Sequence, residues 1–284
     1  MPSVPQHLTL NCRGRLLSLE QPVVMGILNV TPDSFSDGGA FNSVEKALPQ
    51  VNQMLSEGAK IIDIGGYSSR PGAQDISPQE ELDRVAPVVE AVLRDFPEAI
   101  LSIDTFRAAV AAPLLEMGAH IINDISAGML DTDMLALMGK YRAPYVMMHM
   151  QGRPQTMQEA PAYEDVVAEV TQHFVERIRA AQAAGIVDIL LDPGFGFGKT
   201  LAHNWQLFRN LAQFTVFGRP LLVGISRKSM IYRPFDTQPH DVLELTTAMH
   251  LKAVEAGAKV LRVHDVRPAV RAIQLHNFLN NGAI

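Results

Sequence analysis

Eight short apolar, β-branched runs recur along the chain, each bounded by Gly, Pro, Asn or Asp: Val23 to Leu28, Lys60 to Ile64, Ile100 to Ile103, His120 to Ile122, Tyr145 to Met148, Asp188 to Leu191, Leu221 to Ile225 and Lys259 to Val263. None alternates apolar with polar residues, so each reads as a strand buried on both faces, the pattern of a parallel sheet with right-handed crossovers. Between them lie stretches with helical spacing: Ser43 to Glu57, Pro78 to Phe96, Phe106 to Met117, Asp165 to Ala184, Asn204 to Gln213 and Asp241 to Glu255. In the fourth unit only Asp131 to Lys140 can supply the helix. Eight βα units in a chain of 284 residues point to a closed (β/α)₈ barrel of the α/β class rather than an open doubly wound sheet.

Gly58, Gly118, Gly185 and Gly257 each follow a helical run and precede a strand, the place of a left-handed glycine closing a helix. Leu8 to Leu19 reads as a small hairpin plugging the N-terminal end of the barrel, so residues 1–284 are expected to form a single domain with 1–21 as its N-terminal cap.

Hydrophobic residues make up 47% of the chain and charged residues 19%, enough apolar material for a large core and too little charge for disorder. Against 30 Asp plus Glu stand 24 Lys plus Arg, a net charge of −6 that argues against a nucleic-acid partner or a polybasic membrane surface. Any anionic ligand must then be held by a few placed cations. One cysteine, Cys12, excludes an intrachain disulfide and a cysteine-based zinc cluster. With no basic-then-apolar leader at the N-terminus and no long apolar run, the expectation is a soluble, cytoplasmic protein.

Polar residues gather just after the strands: Asn29, Ser68-Ser69-Arg70, Asp104, Asn123-Asp124, His149, Asp192, Ser226-Arg227-Lys228-Ser229 and Arg262-x-His264-Asp265. In a (β/α)₈ barrel those positions line the face on which active sites are built. A single Asp there reads equally as a turn former or helix cap, but all eight strands deliver such a residue. Asp104, Asn123, Asp192 and Lys228 together suit the hydrogen-bonding edge of a flat polar heterocycle. Arg227-Lys228 and Arg262-x-His264 follow strands seven and eight, where barrels commonly hold phosphate; capping of the last helix or pairing with Asp265 is the alternative.

Some motifs fail on inspection. Gly194-Phe-Gly-Phe-Gly-Lys-Thr200 resembles a phosphate-binding P-loop, but Pro193 stands where that motif needs glycine. Its glycines let Phe195 and Phe197 lie over a planar ligand, or simply pack a tight turn. No His-Glu-x-x-His pair occurs among the nine histidines, and His149, between two methionines, reads equally as a core histidine or a site residue.

Together Met25-Gly-Ile-Leu-Asn-Val-Thr-Pro-Asp-Ser-Phe-Ser-Asp-Gly-Gly39, Ser69-Arg-Pro-Gly72, Ile103-Asp-Thr105, Ile121-Ile-Asn-Asp124, Leu191-Asp-Pro-Gly-Phe-Gly-Phe-Gly-Lys199, Ser226-Arg-Lys-Ser229 and Arg262-Val-His264 resemble dihydropteroate synthases, in family order and over the whole barrel. The resemblance implies condensation of 6-hydroxymethyl-7,8-dihydropterin diphosphate with p-aminobenzoate to 7,8-dihydropteroate and pyrophosphate, a transferase step of folate biosynthesis that sulfonamides block. It implies pterin contacts from Asp104, Asn123, Asp192 and Lys228, with Asp104, Asp192 and Lys228 acting in catalysis. It implies diphosphate contacts from Ser69, Arg262 and His264, and Mg²⁺ held through Asn29 and phosphate oxygens. It places Phe35, Arg70, Pro71, Phe197 and Ser229 around p-aminobenzoate, under loops Asn29 to Gly39 and Gly65 to Ala73, and implies a homodimer through outer-wall helices. Tyr67 stands where many family members carry Glu, and Ser69 where they carry Thr; Ser keeps the hydroxyl. The competing readings are a methyltetrahydrofolate-dependent methyltransferase, whose pterin barrel is similar but has no reason to keep Arg70, Arg262 and His264, and a non-catalytic pterin-binding subunit, favoured only by Tyr67.

Overall fold

The computed structural model describes residues 8–31, 40–69, 72 and 74–281. Strands β1 (Thr9–Cys12) and β2 (Arg15–Ser18) pair antiparallel. Arg13 and Gly14, both at positive φ, make the two-residue turn between them, whose twist matches that of the flanking strands. Eight parallel strands follow: β3 (Val23–Asn29), β4 (Ile61–Gly65), β5 (Ile100–Asp104), β6 (Ile121–Asp124), β7 (Tyr145–Met148), β8 (Ile189–Asp192), β9 (Leu221–Val223) and β10 (Ala258–Val263). They close in sequence order, with β10 pairing both β9 and β3. The expected barrel is therefore the observed one.

Two apolar clusters explain why the runs lack alternation. One set of strand residues, including Val24, Ile62, Leu101, Ile122, Leu191 and Leu261, packs outward beneath the helices. The other set, Met25, Ile61, Ile121, Val146, Leu190, Leu222 and Val260, faces into the barrel and packs on Leu10, Cys12, Leu17 and Leu19 of the hairpin. The hairpin thus packs against the N-terminal end of the barrel. Each fully buried leucine of this plug contributes about 1.5–3 kcal/mol by leaving water.

The helices are α1 (Ala40–Ser56), α2 (Pro78–Asp95), α3 (Ala108–Met117), α4 (Met134–Tyr141), α5 (Val166–Ala183), α6 (Leu201–Arg209), α7 (Ser229–Tyr232), α8 (Leu243–Glu255) and α9 (Val266–Asn281). The four glycines expected to close helices all lie at positive φ. In the fourth unit, α4 starts three residues later than the sequence suggests. Asp131 is used elsewhere: its Oδ2 accepts from the Ala108 amide at 2.7 Å, serving the first turn of α3, whose own cap residue Arg107 offers no side-chain bond. The expected helix Asn204 to Gln213 is instead α6, capped by Thr200 and His203, followed by a 3₁₀ segment, Leu211–Phe217. Strand β9 ends at Val223, two residues short of expectation, and Gly224 follows it.

Candidate active site

The inward positions change character along the barrel. Above the apolar layer, the same strands present Asp63, Asp104, Asn123, Asp192 and Arg262. The polar residues read from the sequence as following the strands are in part their last residues: Asn29, Asp104, Asp124 and Asp192 each end a strand. Strand register sets Asn29 beside Gly65 and Gly65 beside Asp104.

Arg262 organises the centre. Its Nε donates to Asp63 Oδ2 and its Nη2 to Asp104 Oδ2, both at 2.6 Å. Asn123 Nδ2 donates to the same Asp63 oxygen at 3.0 Å, while Asp63 Oδ1 is buried with no hydrogen-bond partner. Asp63 was not among the residues singled out in the sequence. A charge inside Ile61-Ile-Asp-Ile64 was the available signal, because a carboxylate in a strand buried on both faces needs a partner.

Burial raises the Asp104 carboxyl to about 7, with Arg262 opposing and Asp63, Glu81 and Asp124 reinforcing the rise. Burial lowers Arg262 as well, but Asp63 and Asp104 outweigh it and hold the guanidinium well above its ordinary value. Asp192 is raised by burial against the pull of Lys228, and burial takes the Lys228 ammonium down to about 8.

Gly224 opens the floor between these groups. A Cβ placed there would lie 3.8 Å from Lys228 Nζ, 3.9 Å from Asp192 Oδ2 and 3.8 Å from Arg262 Cβ. The missing side chain leaves a surface bordered by an acceptor, a donor and the stem of a cation. Asp192 Oδ1 is fixed by the Gly194 amide at 2.8 Å, and Lys228 Nζ donates to the Phe195 carbonyl at 2.6 Å. Lys228 also lies 4.8 Å from the Phe197 ring centroid.

The structure thus brings Asp104, Asn123, Asp192, Lys228, Arg262 and Phe197 around one mouth. Ser229 begins α7 directly after Lys228. His264, just past β10, approaches Ser226 Oγ with Nδ1 at 3.3 Å, and Arg227 pairs with Asp265 at 2.7 Å instead of facing the mouth. Ser69 is half-buried in the loop after β4. Phe35, Arg70 and Pro71 lie outside the described residues.

Three sequence readings change. Phe195 does not cover a ligand: it is fully buried, its ring edge-on to Phe208 at 5.9 Å. Asp124 turns away from the mouth to bind Ser126, the Gly128 amide and the Tyr145 hydroxyl. His149 resolves as a buried histidine, Nδ1 2.9 Å from Lys199 Nζ, with burial and that cation taking it down to about 2.

Tyr67 accepts from Gln155 Nε2 at 2.5 Å and packs edge-on against Phe106 at 5.2 Å, beneath the Arg107 guanidinium. Arg107 in turn binds Glu81 at 2.9 Å and Asp75 at 3.0 Å.

Among the described residues no group of three or more His, Cys, Asp or Glu could hold a metal ion. The one oxygen-bearing side chain expected to meet Mg²⁺, Asn29, sits half-buried on the rim. An amide oxygen suits a hard cation that keeps most of its waters and takes few protein ligands.

The profile of the pterin binding enzymes matches residues 25–264. The chain is 49% identical over 265 residues to the dihydropteroate synthase of Escherichia coli strain K12, covering 93% of each. It is similar to the Yersinia pestis dihydropteroate synthase solved with a sulfonamide drug complex, at 46% identity and a TM-score of 0.90, covering 97% of this chain and 100% of that one. It is also similar to the Xanthomonas albilineans dihydropteroate synthase solved with 4-aminobenzoic acid, at 43% identity and a TM-score of 0.90, covering 96% and 98%. Barrel, mouth and relatives agree, and the chain belongs to the dihydropteroate synthase family of pterin binding enzymes.

Proposed function

We infer that this protein is an active dihydropteroate synthase, joining 6-hydroxymethyl-7,8-dihydropterin diphosphate to p-aminobenzoate and releasing pyrophosphate. The observation that carries the reading is the open floor at Gly224, bordered by Asp192 Oδ2 and Lys228 Nζ, with Asp104 and Arg262 paired beside it.

The pterin lies flat over Gly224. Asp192 accepts its 2-amino and ring N–H groups, Asn123 and Asp104 complete the edge, and Lys228 donates to the ring. Ser69, Arg262 and His264 receive the diphosphate. Phe197 and Ser229 flank the aryl amine. In the reaction the bond between the methylene carbon and the diphosphate oxygen breaks, and a carbon–nitrogen bond forms to the amine, whose proton leaves to solvent or pyrophosphate. Asp104 and Asp192 offset positive charge developing on the pterin, and Arg262 and His264 stabilise the departing anion. An arylamine of low basicity needs no strong general base, and none is assigned. Water must be kept from the reacting carbon, since it would capture the same cation.

Mg²⁺ would be held by Asn29 and phosphate oxygens, where it would neutralise charge on the leaving group. The protein acts as a homodimer, a reading supported by Leu275, Phe278 and Leu279, which expose one apolar face of α9. A cytoplasmic setting is supported by the lone buried thiol of Cys12; among the described residues no helix is long and apolar enough to cross a membrane. Tyr67 packs on Phe106 and Gln155 rather than across the Gly224 floor, so it gives a non-catalytic reading no support. The test is pyrophosphate release by the purified protein: it must require both substrates.

A further inference from the structure

Lys199 is nearly fully buried and, among the described residues, has no carboxylate in hydrogen-bond contact. Its ammonium instead meets backbone carbonyls from two loops: His149 at 3.2 Å after β7, and Gly194 at 2.9 Å and Phe197 at 3.0 Å after β8, with His149 Nδ1 at 2.9 Å as a further acceptor. Three donor hydrogens therefore serve four acceptors. Gly194, whose carbonyl oxygen Lys199 holds, donates its own N–H to Asp192 Oδ1 at 2.8 Å. The two loops are already jammed together: a Cβ at Gly194 would come within 1.9 Å of the His149 carbonyl, and one at Gly198 within 2.4 Å of the Gln151 carbonyl.

We propose that Lys199 is a positioning residue for Asp192, pinning the 192–199 turn against the loop after β7 and supplying a positive charge behind the carboxylate. The charges facing Asp192 are Lys228, Arg262 and Lys199. Burial pulls the Lys199 ammonium well below its ordinary value, Asp192 opposes that fall and Lys228 adds to it, while the four acceptors around Nζ favour the cation. His149 and His173, both lowered by burial, pack beside it. Lys228 and Arg262 border the pterin floor, whereas Lys199 meets loop carbonyls and reaches the ligand only through Asp192. The lysine that makes the turn resemble a P-loop is thus a staple with an electrostatic consequence. This inference rests on the pterin-binding reading of the mouth.

The test measures affinity for plain 6-hydroxymethylpterin by calorimetry across pH for the unmodified protein, Lys199→Met and Lys199→Gln. Lys199→Met is expected to bind about 10- to 100-fold more weakly at neutral pH, since the loop carbonyls lose their donor and Asp192 loses the charge behind it. Removing the charge makes Asp192 take up a proton more readily, so the acid-side loss of binding begins at higher pH in both variants. Lys199→Gln keeps two N–H donors, so it retains more neutral-pH affinity with the same upward displacement, and it carries the test if Lys199→Met does not fold. Unmodified protein that binds pterin, with variants whose acid limb is unmoved, would overturn the proposal while leaving the functional reading intact. Unmodified protein that binds no pterin would overturn both.

Discussion

Arg262 Nη2 donates to Asp104 Oδ2 across 2.6 Å, so the cation assigned to the diphosphate is already ion-paired with a carboxylate assigned to the pterin. With Asp63 bound to the same guanidinium, the groups assigned to the two halves of the substrate form one connected set.

Arg262→Ala leaves Asp63 and Asp104 close together without a counter-charge. Breaking a buried pair from one side costs about 3 kcal/mol or more. The folded pKa of Asp104, about 7, exceeds its ordinary 3.8, so stability attached to its protonated form is present below ~4 and lost as pH rises through ~7. Without Arg262 the ionised form is costlier still. Thermal melts should therefore show a larger destabilisation at pH 8 than at pH 5; equal losses would contradict the pairing.

Lys228 carries the alkaline side. Burial lowers its ammonium from 10.5 to about 8, so above that pH the donor next to the Gly224 floor loses its charge. The pH profile of kcat/KM for the pterin diphosphate, which reports the free enzyme, should fall on the alkaline side near 8. Lys228→Arg should lower the rate and remove that alkaline fall; an unchanged limb would assign it to another group.

Gly224→Ala separates folding from recognition. The added methyl meets its neighbours at 3.8–3.9 Å, ordinary contact distances, so melting temperature should barely move. The methyl occupies the floor on which the pterin lies, and pterin affinity should drop about tenfold or more. Full affinity would remove the pterin from that floor.

Much of this was legible in the chain. Unalternating runs gave strands buried on both faces, because outward residues such as Ile62 pack under helices while inward ones such as Ile61 pack on the hairpin. Strand-end residues marked the mouth. What local pattern could not give was partnership across the barrel: Asp63 and Arg262 are 199 positions apart, and the Lys199 contacts depend on two loops meeting. Phe195 and Phe197 are two residues apart in a turn of repeated glycines, and only the packing of Phe208 decides which is core.

Tyr67→Phe removes the hydroxyl's bonds with Gln155 and Asp75 and keeps the ring contacts with Phe106 and Arg107. Each such bond is worth about 1 kcal/mol, a factor of about five, so turnover should stay within roughly fivefold of the unmodified enzyme. A collapse of activity would give the hydroxyl a direct part in the reaction.

Pyrophosphate release from purified protein supplied with the pterin diphosphate, Mg²⁺ and p-aminobenzoate, for the unmodified chain and Asp192→Asn, is the most direct test of the synthase activity. The substitution turns an acceptor into a donor facing a donor and removes the charge set against the developing cation, so a loss above ~100-fold is expected. Release is expected to depend on both substrates, to be matched by an equal amount of dihydropteroate and to be lost in Asp192→Asn. Release that needs a second protein, or that survives Asp192→Asn undiminished, would contradict it.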